Sequence, residues 1–222
     1  MTPLRLINKY IKTTGNVMTK VLLLTAFAVF MSTTANAKIE HEIKRNFTVD
    51  TQQTLDISFP VGSLEINTHD GNEVKVTIEL EEKNNGWFDD SDNLDELTLD
   101  SEQTANKLTL SLDNDDVQQN WLVSVPLSLA VNLDLGVGDI EINDFANSAD
   151  IEVGVGAVRI DSQSDDYKYI SLDSGVGDTR ISGLKSDAKT SRKMVSSESE
   201  YTGSGTHTIK IEVGVGDIKI KH

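Results

Sequence analysis

The sequence predicts an all-β chain, a single-stranded β-helix or β-solenoid with about 18–21 residues per coil, and three observations carry that expectation. A phrase repeats: Gly-Val-Gly-Asp-Ile-Glu-Ile at Gly136–Ile142 returns at Gly154–Ile160, Gly175–Ile181 and Gly214–Ile220, with a fainter copy at Val61–Ile66. The steps between copies are 18, 21 and 39 residues, the last close to two further turns of the same period. Self-similarity of this kind marks a stacked-repeat protein. Each copy is also framed by segments in which apolar and polar residues alternate, the pattern of a strand with one buried and one wet face. Finally, two strands and two corners within roughly 20 residues leave no room for the crossover helix of a βαβ unit.

The N-terminal 37 residues stand apart. Val21–Met31 is an apolar run preceded by Arg5, Lys9, Lys12 and Lys20 and followed by Ala35-Asn-Ala37. That is the layout of a secretory signal peptide, with cleavage between Ala37 and Lys38. The run is shorter than the ~20 residues of a spanning helix. The polar stretch before Met18 makes Met18 an alternative start to Met1. After cleavage, residues 38–222 are expected to form one solenoid domain. The chain has no cysteine, which excludes disulfides and a lipidated cysteine anchor.

Within 38–222 the elements follow in order. Glu42–Val49, Thr54–Phe59, Ser63–Asn67 and Val74–Leu80 read as strands of an N-terminal cap and first coil. Residues 83–107 read as an irregular acidic insertion around Trp87 and Phe88, an aromatic pair suited to covering an open core end or contacting a partner. Leu108–Leu112 and Trp121–Val125 return to strand. Leu129–Leu135, Asp150–Val153, Tyr169–Asp173 and Thr208–Val213 lead into the glycine phrases, and Ile140/Ile142, Val158/Ile160, Thr179/Ile181 and Ile218/Ile220 follow them in one phase. The glycines Gly136, Gly138, Gly154, Gly156, Gly175, Gly177, Gly214 and Gly216 are expected as structural turn positions, where the backbone needs positive φ or close approach. Residues 185–204, rich in Ser, Lys and Glu, read as a second irregular insertion, and the last copy as the end of the stack. Stacking in chain order would align Glu141, Arg159, Arg180 and Lys219 on one outer face. It would also set Glu141 beside Arg159.

Val61-Gly-Ser-Leu-Glu-Ile-Asn67, Val74-Lys-Val-Thr-Ile78 and the Gly-x-Gly-Asp-Ile-x-Ile copies resemble the bacterial putative-adhesin β-solenoid family, over nearly all of residues 45–222. The resemblance implies a right-handed β-helix and a cell-envelope setting. That family is a domain of unknown function and supplies no catalytic residues.

The charge narrows the partners. The N-terminal 37 residues hold four of the 20 basic side chains and none of the 36 acidic ones, so 16 basic against 36 acidic leaves residues 38–222 at −20. Such a charge repels phosphate backbones and anionic headgroups, arguing against nucleic-acid binding and stable membrane insertion, and favours cations or basic partners. Three motifs invite a site reading. Asp139, Asp178 and Asp217 follow the second glycine directly, one place too early for a calcium β-roll, and Ala157 replaces the acid in one copy; turn-amide acceptance is the expected role. Asp89–Glu96 is rich in oxygens, but Leu94 stands where an EF-hand loop needs a ligand. His41, His69, His207 and His222 show no metal-ligand spacing. No catalytic, cofactor or metal residues are therefore assigned.

The expected function is an exported, non-enzymatic, adhesin-like interaction or scaffold module of the periplasm or cell exterior, meeting an envelope protein or polysaccharide. One alternative is a β-helix enzyme acting on cell-wall or extracellular polysaccharide. Another is an accessory or sensor protein in envelope-stress signalling.

Overall fold

The structure, a computed structural model, describes residues 41–82 and 94–222. The signal-peptide expectation with its Ala37–Lys38 junction, the Met18 start, Trp87, Phe88 and residues 89–93 lie outside the described residues. The rest is all-β, with one 3₁₀ turn at Leu94–Glu96.

Two long strands organise the molecule, β2 (Thr54–His69) and β7 (Ala130–Phe145). They pair in parallel from Thr54 opposite Ala130 to Asn67 opposite Asn143, with Leu55 opposite Val131 and Ile66 opposite Ile142. The sequence reads each as two strands about a glycine joint; the joint is instead a bend inside one continuous strand. Each half then builds its own ladder. β1 is His41–Thr48, β3 Glu73–Glu82, β4 Asp100–Gln103, β5 Lys107–Ser111 and β6 Val117–Pro126. β8 is Ala149–Val155, β9 Val158–Ser162, β10 Tyr169–Val176, β11 Thr179–Ser182, β12 Lys189–Lys193, β13 Ser196–Thr202, β14 Thr208–Val215 and β15 Ile218–Lys221. The first ladder runs β4-β5-β2-β7-β8-β14-β10-β13-β12; the second runs β1-β3-β6-β2-β7-β9-β15-β11. The hydrogen-bonded path is open, from β1 at one end to β12 at the other.

Register explains the alternation. In the first ladder, one inward row reads Ile57, Leu133, Ile151, Ile211, Leu172 and Ser199. In the second, one reads Leu64, Ile140, Val158, Ile218 and Thr179. All of these are buried, and a single hydrophobic cluster takes in the apolar members of both ladders. A strand carrying half of each row cannot bury it alone, so the neighbours make the core between them. Burying one Ile or Leu in such a row contributes about 1.5–3 kcal/mol.

The strands do not stack in chain order. β14 pairs with β8 on one side and β10 on the other, and β15 lies between β9 and β11. The last copy of the phrase is thus interleaved between the second and third rather than ending the stack. The 39-residue step is occupied by a hairpin: residues 185–204, expected to be irregular, contain β12 and β13, and β13 runs antiparallel to β10. The hairpin closes β10's outer edge, and the chain then returns to the slot between β8 and β10. Residues 94–107 are also less irregular than expected, since β4 pairs antiparallel with β5.

Large side chains pack together in the N-terminal half. Phe59 stacks on Trp121 with centroids 5.1 Å apart. Trp121 Nε1 donates to Gln119 Oε1 at 3.1 Å, and buried Gln119 donates to the carbonyls of Leu112 and Asn114. The buried polar atoms of this cluster are partnered, which burial requires.

Candidate functional site: a glycine-floored acidic trough

The repeated phrase builds a surface feature as well as a corner. In the first ladder, Gly136, Gly154, Gly214 and Gly175 lie exposed in one row, and a Cβ at each would meet a backbone carbonyl of the neighbouring strand. With no side chain there, the row is the floor of a trough of about 530 Å³. One wall is a row of carboxylates two residues upstream, Asp134, Glu152, Glu212 and Asp173, each directly opposite the next. Adjacent strands lie about 4.8 Å apart, so the row repeats negative charge at that interval. Lys210 reaches in from the next outward position; its Nζ lies 2.7 Å from Glu212 Oε1, and that bond raises the lysine pKa, keeping it charged. Beyond the floor, Val137, Val155, Val215 and Val176 form a second row, each between 46 and 49% exposed. The valine of Gly-Val-Gly is held outward at each bend.

The second glycine of each phrase is held by its neighbours. Gly138 has φ 143°, and Gly62, Gly156, Gly177 and Gly216 lie between 144° and 153°. A Cβ on Gly138 would fall onto the carbonyl oxygen of Gly62, and one on Gly156 onto that of Gly138. The column thus has room only for backbone.

The aspartates after the glycines stitch this column. Asp139 Oδ1 accepts the Ala157 amide at 2.7 Å, and Asp217 Oδ1 accepts the Asp178 amide at 2.8 Å. Asp178 also pairs with Arg192. Asp139 and Asp217 thus each take a backbone donor of the adjoining strand, while the Asp178 carboxylate is taken up by Arg192. In the second ladder the outer row reads Glu65, Glu141, Arg159, Lys219 and Arg180. Glu141 does face Arg159, but Lys219 precedes Arg180 because of the interleaving.

The histidines lie apart. His41 Nδ1 is 3.1 Å from Asp95 Oδ1, His69 bonds the carbonyls of Asp70 and Glu73, and His222 Nδ1 meets the Ser162 carbonyl at 3.0 Å. His207 offers its backbone carbonyl to the Lys168 amide. Among the described residues, no three His, Asp or Glu side chains are grouped as metal ligands.

A second polar focus lies beside the hairpin. Asp166 accepts from the Tyr201 hydroxyl at 2.7 Å and from the Ser204 amide, with Lys185 Nζ 3.8 Å away. The Tyr201 bond, foremost, lowers the Asp166 pKa against the opposing effect of desolvation. Burial, and then the same bond, raises that of Tyr201. Tyr167, fully buried, bonds Ser162 Oγ and the Phe145 carbonyl, and burial raises its pKa as well. These groups tie the 162–168 connection to the hairpin.

The acid row and valine row escaped sequence reasoning, although both lie in the repeated phrase. Their signal was present: an acid stands two places before the first glycine in all four copies of the phrase (Asp134, Glu152, Asp173 and Glu212).

The described chain is an open, all-β sheet that carries this trough on its surface. The chain belongs to the family described as the N-terminal domain of toast_rack, DUF2154, whose model matches residues 32–182, from before β1 to the end of β11. Among solved structures it is similar to a putative cell adhesion protein from Clostridium sporogenes, at 16% identity and a TM-score of 0.48 over 82% of this chain and 99% of that one. It is also similar to putative adhesins from Parabacteroides distasonis (14% identity, TM-score 0.30, 81% of this chain and 70% of that one) and Bacteroides fragilis (15%, 0.26, 82% and 97%). No curated protein matches the chain in sequence.

Proposed function

We propose that the chain is an exported, non-enzymatic interaction module of the cell envelope, and that the acidic trough is its binding face. The observation that carries this reading is the row Asp134–Glu152–Glu212–Asp173, held in register along a glycine floor with exposed valines on its far side. A row with a fixed interval suits a partner that is itself repetitive or extended and presents cationic groups beside apolar ones, such as a basic protein segment or an amino-sugar polymer. Complementary charge of this kind contributes chiefly to on-rate and specificity. The two ladders act as two faces of a right-handed β-solenoid, a reading supported by the shared register of β2 and β7 and by the glycine column. Export rests on the signal-peptide pattern of residues 1–37, and the family gives no activity to carry over.

The test is pull-down with a tagged, natively exported chain, comparing it with Asp134→Asn/Glu152→Gln. Both side chains are exposed, so the variant is expected to melt as the parent does and to lose its partner. Recovery of the same partner at parental yield would remove the trough from the account.

A further inference from the structure

The first ladder ends in two open edges of opposite charge. At one end is β4, Asp-Ser-Glu-Gln; at the other is β12, Lys-Thr-Ser-Arg-Lys, and every residue of both is exposed. Among the described residues β4 pairs only with β5 and β12 only with β13. An unpaired strand edge is a template for another strand, and proteins that avoid such pairing blunt the edge with charge. Here the charges oppose like-with-like pairing, since β12 against β12 or β4 against β4 sets equal charges side by side. They do not oppose β12 against β4.

We propose that this chain assembles head to tail with further copies of itself, the β12 edge of one copy adding to the β4 edge of the next. Three features of the register support it. Direction fits: β12 runs parallel to the central strands and β4 antiparallel to them, so in a copy displaced along the ladder the two meet as an antiparallel pair. Facing fits as well. On β12, Thr190 and Arg192 stand opposite buried Ser199 and Ser197, which puts Lys189 and Lys193 on the outer face. On β4, Ser101 and Gln103 stand opposite buried Leu110 and Leu108, which puts Asp100 and Glu102 on the same outer face. Lysines and carboxylates therefore meet on one side of the joint. Distance forces the contact to be intermolecular, because the edges are eight strand steps apart, roughly 38 Å at about 4.8 Å per step. A contact between two different patches that does not close on itself propagates as a filament.

The strands are short and the chain strongly acidic, so the contact is weak and depends on ionic strength. At about 0.15 M salt the Debye length is about 8 Å, which screens the overall repulsion between copies while sparing pairs at contact distance. The experiment is sedimentation velocity of the full chain at that ionic strength, up to about 0.1 mM, where a contact of this size is populated. The parent is expected to gain mass with concentration. Lys189→Glu/Lys193→Glu and Asp100→Lys/Glu102→Lys are each expected to stay monomeric, and their equimolar mixture to assemble, since one then carries two acidic edges and the other two basic ones. Unchanged thermal melts separate loss of assembly from loss of fold. As a check that needs no variant, about 1 M NaCl is expected to dissociate the parent. A parent that stays monomeric throughout, edge variants that still associate, or a mixture that does not would each overturn the proposal.

Discussion

The middle of the first ladder and its hairpin end, at β10 and β13, solve the same packing problem with different chemistry. Where β7, β8 and β14 lie side by side, the inward rows are aliphatic: Leu133, Ile151 and Ile211 in one, Leu135, Val153 and Val213 in the next. At β10 and β13 the same rows become Leu172 then Ser199, and Ser174 then Ser197. Thr179 takes the place of Ile218 in the second ladder. These hydroxyls bond one another: Thr179 Oγ1 lies 2.8 Å from Ser197 Oγ and 2.7 Å from Ser199 Oγ, and Thr190 Oγ1 lies 2.8 Å from Ser199 Oγ. Ser174 donates to the Gly216 carbonyl at 2.7 Å. The middle is held by hydrophobic burial, which is non-directional. The end is held by directional bonds that work only as a satisfied set. An aliphatic row left open at the end of a stack would invite another layer; a hydroxyl row closed by a hairpin ends it.

The contrast can be attacked most severely through the glycine column, which both regions share. Gly138→Val would place a branched side chain at φ 143° and onto the Gly62 carbonyl. A loss of at least about 3 kcal/mol, or failure to fold, is expected in chemical denaturation. A neutral result would mean that the column is not a backbone constraint. Next, Ile211→Ala, at a fully buried middle position, is expected to cost about 2–5 kcal/mol. Ser199→Ala at the end removes one hydroxyl from the bonded set and is expected to cost about 1–3 kcal/mol. A larger loss at Ser199 than at Ile211 would invert the comparison.

Acid should separate the regions without mutation. The Asp166 pKa is lowered in the folded chain, so its contribution is present above the ordinary carboxyl pKa and is lost as pH falls below it. Amide exchange in β13 and the 162–168 connection is expected to rise on acidification before that of β7 and β8. Asp166→Asn is expected to abolish the difference. The smallest effect on stability is that of Asp134→Asn/Glu152→Gln, within about 0.5 kcal/mol, since both lie on the wet face.

The middle was far more legible in sequence than the end. Alternation marks the inward residues of β2, β7, β8 and β14 because those residues are Ile, Leu and Val. In β13 the inward residues are Ser197, Ser199 and Tyr201, set between Ser196, Glu198 and Glu200. Two of its three inward side chains are polar, so the two-residue apolar period disappears although the strand is regular. β12 has no buried residue at all and gives no apolar signal. The interleaved order is hidden for another reason. The first, second and fourth copies carry interchangeable aliphatic residues inward, and only Ser174 and Thr179 set the third apart, so the apolar pattern alone does not display where the fourth copy is inserted. The 39-residue step was compatible with two missing coils or with a hairpin and a return. The acid row was in view residue by residue, but register alone makes it a row.

The interleaved order is the central claim, because it sets the sequence of charges along the trough. The chain has no cysteine of its own, so introduced pairs report directly. Glu152 and Glu212 lie on adjacent strands, about 4.8 Å apart and within disulfide reach, whereas Glu152 and Asp173 are two steps apart at roughly 9.6 Å, beyond it. Under mild oxidation, Glu152→Cys/Glu212→Cys is expected to form an intramolecular disulfide and Glu152→Cys/Asp173→Cys is not. The opposite outcome, with the 152–173 pair bridged and the 152–212 pair free, would show that the copies stack in chain order and would contradict the account.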